Sequence, residues 1–114
     1  MGITPLPQVS LNAATAQATV GTIYEMPRAC RVSVGVKVTG QPDAATVRLL
    51  GRNATTGAWT EIASFDCTPT AATDPDYRDF NAGPVYFKQV TLDLPTLTNG
   101  TAPTVTGTIL FAGE

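Results

Sequence analysis

The 114-residue chain contains no histidine. That absence removes the commonest general base, the Ser-His-Asp and Cys-His catalytic arrangements, and most zinc sites. Cysteine is scarce too: Cys30 and Cys67 alone cannot build a tetrahedral structural metal site. Charge is low, 14% of residues against an average of about 25%. Seven basic and nine acidic residues give a net charge of −2. The basic ones are scattered rather than striped, which argues against nucleic-acid binding on electrostatic grounds. No glycine-rich phosphate cradle is present. No basic start followed by a long apolar run is found, so neither a signal peptide nor a membrane span is expected, and synthesis in a cytoplasm is. Together these absences predict a protein that is not an enzyme and needs no cofactor or metal.

What is present is a period of two. In residues 30–39 the side chains of Cys30, Val32, Val34, Val36 and Val38 fall on one side, and Arg31, Ser33, Gly35, Lys37 and Thr39 on the other. Such alternation marks a strand with one buried and one wet face. The same grammar recurs along the chain, and no convincing helix interrupts it. Seven to eight strands with one apolar face each require two stacked layers. The expected fold is therefore an all-β, two-layer antiparallel sandwich of jelly-roll-like type, one domain over residues 9–114. Residues 1–8, with Pro5 and Pro7 lacking amide donors, read as an extended N-terminal arm.

Individual strands are expected near Val9 and Leu11, within 16–24, at 30–39, 46–52, 59–65 and 85–94, and at 104–111. A bulge near Thr60 and Glu61 would bring Trp59 and Ile62 onto one face. Gly40-Gln41-Pro42-Asp43 is a turn signal, residues 53–57 close a hairpin, and Pro95 ends its strand. Asn99-Gly100 is the preferred pair for a tight hairpin. Residues 66–83, with two prolines, four aspartates and no periodicity, read as a long loop.

Few residues suggest a partner. Tyr77, Arg78 and Phe80 lie together in the expected loop, and Tyr and Arg dominate binding hot spots. The alternative for Tyr77 and Phe80 is that they tuck the loop onto the sandwich. Ile3 and Leu6 in the arm are apolar side chains best satisfied by a neighbouring subunit. Asp66, Asp74, Asp76 and Asp79 gather oxygen ligands of the kind calcium uses, but without the spacing of a calcium loop. Trp59 reads as a core plug or a staple over the sheet edge, with a sugar-stacking platform as the alternative. Cys30 and Cys67 read as buried free thiols packed as small hydrophobes. A bridge between them would need Cα atoms within about 7 Å.

The segments VSVGVKVTG, ATVRLLGRNATTGAWTEIASF, NAGPVYFKQVTLDL and LTNGTAPTVTGTILFAGE resemble small β-sandwich virion proteins of tailed bacteriophages. The likeness spans about residues 22–114 and rests on a hairpin ending in Gly-x-Trp-x-x-Ile, an aromatic strand and a Gly/Thr-rich final strand. It implies a structural role: a capsid decoration or cement protein, often trimeric, bound to the major capsid protein on the virion surface. A neck, tail or baseplate component, or a carbohydrate- or receptor-binding module of a tail fibre, is the alternative. The resemblance brings no catalytic residue with it.

Overall fold

The computed structural model describes residues 7–26, 28–70 and 74–112. Ile3 and Leu6 of the expected arm lie outside the described residues. Nine strands are found, among the described residues, rather than seven or eight: β1 (Gln8–Ala14), β2 (Thr19–Val20), β3 (Tyr24–Glu25), β4 (Cys30–Thr39), β5 (Ala44–Arg52), β6 (Thr60–Asp66), β7 (Asp76–Val85), β8 (Gln89–Thr98) and β9 (Thr104–Ala112). The strand not expected is β7, within the residues 66–83 read as a loop; β2 and β3 are two-residue pieces within 16–24 that both pair with β8. β1 begins at Gln8, the last residue of the expected arm.

All pairings are antiparallel, in two sheets. One has the order β1-β9-β4-β7; the other has β2-β8-β5-β6, with β3 also on β8. Beyond the β2–β3 step and the β5–β6 hairpin, every connection crosses from one sheet to the other. The valine stripe of β4 explains why the layers stack. Val32, Val34, Val36 and Val38 are buried, and they share the interior with Leu11, Val105 and Ile109 from their own sheet. Val47, Leu49, Val90, Leu92 and Leu94 close over them from the second sheet. Each such side chain contributes about 1.5–3 kcal/mol by leaving water.

Three expectations fail for identifiable reasons. Residues 85–94 are not one strand. β7 ends at Val85, residues 86–88 carry the chain between sheets, and β8 then starts at Gln89. Pro95 does not stop β8. It sits in a register slip where Val47 faces both Leu94 and Pro95, a bulge that dispenses with the missing amide donor. Asn99 and Gly100 do take positive φ, 59° and 81°, but they join β8 to β9 across the sandwich rather than closing a hairpin. The expected bulge in β6 is present one residue further on: Leu49 faces Ala63 and Leu50 faces Glu61, leaving Ile62 as the extra residue.

The seam between β1 and β8 is polar and satisfied. The Ser10 hydroxyl donates to the Thr22 carbonyl and accepts from the Leu92 amide, 2.9 and 3.1 Å, tying β1 to β8. On the outer face of the second sheet, buried Asp93 accepts from Arg48 Nε at 3.0 Å and from its Nη2. Among the described residues no buried side-chain polar atom lacks a hydrogen-bond partner, as a folded interior requires.

Candidate functional site

Tyr77, Arg78 and Phe80 are not in a loop. They belong to β7, an edge strand whose pairing with β4 decides where each side chain goes. Val34 faces Phe80, Val36 faces Arg78 and Val38 faces Asp76. Directly opposed residues share a face of the sheet. The buried valines therefore draw Phe80 and Arg78 inward, while Tyr77 and Asp79, opposite Lys37 and Gly35, point outward.

Phe80 stacks on Phe65 of the other sheet, ring centroids 4.5 Å apart and planes 20° from parallel. It closes the open side of the sandwich. Arg78 donates to Asp76 at 3.2 Å, to the Thr68 carbonyl at 3.1 Å and to the Thr70 hydroxyl at 3.2 Å. It pins the segment after β6 against β7. The tucking expected for Phe80 is thus observed, and Arg78 is committed to internal partners. Tyr77 alone of the three is a surface group, 68% exposed. With Lys37 Nζ 6.0 Å from its ring centroid, it borders a shallow cleft of 250 Å³ whose floor is Gly35 and whose far wall is Thr106 and Thr108.

Three of the four aspartates are engaged locally rather than converging, and Asp79 points outward from β7 opposite Gly35. Asp66 accepts from the Thr68 amide at 3.0 Å, and bonds from Thr68 hold its carboxyl below the usual range. Asp74 accepts from the Gly40 amide at 3.0 Å, and Asp76 is paired with Arg78. Among the described residues no group of three or more His, Cys, Asp or Glu side chains is placed to hold a metal ion. Nor does any helix among them have the length and apolarity to cross a membrane. Trp59 is half-buried, with the Arg52 guanidinium 4.1 Å over its ring. Arg52 is itself anchored by Gln89 and the Gly57 carbonyl. That ring face is occupied, so it is not an open sugar platform.

Cys30 and Cys67 are both free and buried. Burial pushes the Cys67 thiol up to about 12 and raises that of Cys30 as well, against a smaller opposing effect of Arg28. A thiol that stays protonated is a poor nucleophile. In native protein at neutral pH, iodoacetamide followed by mass spectrometry should label neither cysteine, and should label both once the chain is unfolded. The same shift links stability to pH. Below about pH 9 the thiol is neutral in both states. From there toward 12 only the unfolded chain releases the proton, so stability falls. Denaturant midpoints measured across that range should decline in the wild type, and decline less steeply in Cys67→Ala.

The sequence reading missed two surface features. Tyr86, 72% exposed in the β7–β8 connection, stands over a cleft of 190 Å³ lined by Ala29, Cys30, Arg31 and Pro84. Val9 in β1, Val20 in β2 and Ile23 between β2 and β3 are exposed apolar side chains, 42%, 51% and 41%. The signal for Tyr86 was its place between a strand end and Lys88, hidden by the reading of 85–94 as continuous strand.

No family model matches the chain, and no curated protein matches it in sequence. Among solved structures, the chain is similar in fold to the SPBc2 prophage-derived protein YomS. The TM-score is 0.61 at 15% identity, over 98% of this chain and 97% of that one. The likeness is one of architecture along the whole length of both chains.

Proposed function

We propose that this chain is a non-enzymatic structural protein of a bacteriophage particle, and specifically a capsid decoration or cement protein. The observation that carries the reading is its end-to-end likeness in fold to a prophage-derived protein. The alternation of strands between sheets, β1-β9-β4-β7 against β2-β8-β5-β6, supports a jelly roll, an architecture shared by viral capsid domains. A rigid block of this kind suits repeated, individually weak contacts that add up over a shell through multivalency. Its partners in this reading are further copies of itself, a trimer in the first instance, and the major capsid protein. Tyr77 and the exposed apolar side chains of Val9, Val20 and Ile23 are the groups offered to them.

Particle location tests the reading. Immunogold labelling or a cryo-EM map of purified particles should place the protein on the head. Shells stripped of it by limited proteolysis should rupture at lower temperature. Density on the neck, tail or baseplate would replace the decoration role with one of the alternatives, and absence from particles would remove the structural role altogether.

A further inference from the structure

Charge is segregated along the strand direction. The registers place the β3–β4, β5–β6 and β7–β8 connections at one end of the sandwich, and the β4–β5, β6–β7 and β8–β9 connections at the other. Within two residues of the strand ends, and among the described residues, the first end carries Arg28, Arg31, Arg52 and Lys88 against Glu25 and Glu61. The second end carries Asp43, Asp66, Asp74 and Asp76 against Lys37 and Arg78, so that the two ends still differ in sign. Arg28, Arg31 and Lys88 are exposed and make no ion pair among the described residues, and the same holds for Asp43, Asp66 and Asp74.

A ten-residue strand such as β4 spans about 33 Å. That is several times the Debye length of about 8 Å at physiological ionic strength. The two ends therefore cannot neutralise each other within one molecule. Each presents an unbalanced field of opposite sign. Exposed Tyr86 and Arg31 share the rim of the cleft at the cationic end, which puts the residue types that anchor interfaces inside the charged patch.

We propose that copies of this chain associate head to tail, the aspartate end of one seated on the Arg28, Arg31, Lys88 and Tyr86 end of the next. Such a contact is heterologous. It generates a ring where the rotation closes, a trimer included, and a filament where it does not. This deepens the assembly reading above by naming the two self-complementary surfaces. It is tested in solution, so it can fail while the particle location holds, and the reverse.

Sedimentation velocity on the full chain is the test. Self-association should be present at about 50 mM NaCl and at least tenfold weaker at about 500 mM, because exposed charge pairs are screened. Arg28→Glu/Arg31→Glu should be monomeric at low salt. So should Asp43→Asn/Asp66→Asn/Asp74→Asn, in which asparagine keeps the acceptor oxygens that bond Thr68 and Gly40. Mixing the two variants joins one intact aspartate end to one intact cationic end, so the mixture should form dimers and grow no further. A wild type that is monomeric at every salt concentration overturns the proposal. So does association indifferent to salt and to both sets of substitutions, or a mixture that yields no dimer.

Discussion

Gly40→Ala is expected to destabilise the protein by about 3 kcal/mol or more, a large share of the roughly 5–15 kcal/mol that holds a domain folded. Two costs combine. Gly40 has φ of +82°, where an L side chain is strained by about 1–2 kcal/mol. A Cβ there would also meet the Thr101 carbonyl oxygen at 2.5 Å and Pro103 Cα at 2.7 Å. Both are backbone atoms of the opposing turn and cannot swing aside. The two turns are locked further by the Thr101 amide donating to the Gly40 carbonyl at 2.8 Å and by Asn99 Nδ2 donating to Asp43 at 2.7 Å. Gly83 separates the two costs. Its φ is +74° but a Cβ would meet nothing within 4 Å, so Gly83→Ala should cost only the conformational part, about 1 kcal/mol. Equal losses in urea unfolding for the two variants would show that the turns do not interlock as described.

The same corner shows what a sequence conveys and what it withholds. Asn99-Gly100 announces positive φ through residue type and adopts it, as does Gly40 in its turn; Gln41 adopts it too, with no such signal in its type. That the two turns lie against each other is a property of the sandwich, not of either segment. β4 was legible residue by residue because one of its faces is buried and the other wet. β8 was legible in its centre, where Val90, Leu92 and Leu94 alternate with Thr91 and Asp93, but not in its bounds, because the crossing at 86–88 and the slip at Pro95 depend on the neighbouring strands. β7 was missed altogether. It is an edge strand whose inward positions include Asp76 and Arg78, so alternation of polarity vanishes although alternation of direction persists. Tyr77 could be nominated as a surface residue by its type. The turning inward of Arg78 and Phe80 followed only from their register against Val36 and Val34.

That register separates the three nominated residues by experiment. Phe80→Ala should lower stability by about 2–4 kcal/mol, from lost burial, the cavity left against the core, and the ring stack on Phe65. Tyr77→Ala, on the wet face of the same strand, should change it by no more than about 0.5 kcal/mol. Arg78→Ala falls between them, because it removes the bonds to Asp76, Thr68 and Thr70 from a half-buried site, a loss of about 1–2 kcal/mol. Chemical denaturation of the three variants gives the order directly, and Phe65→Leu should recover none of what Phe80→Ala loses, since the missing ring is on the other sheet. If the proposed decoration role holds, binding to shells differs between the variants. Tyr77→Ala should weaken attachment at unchanged stability if its side chain meets a partner, whereas Phe80→Ala should weaken it only at temperatures where the fold itself begins to open. An order with Tyr77 costing as much as Phe80 would mean that β7 is shifted by one residue against β4, because a single-step slip exchanges the two faces of a strand.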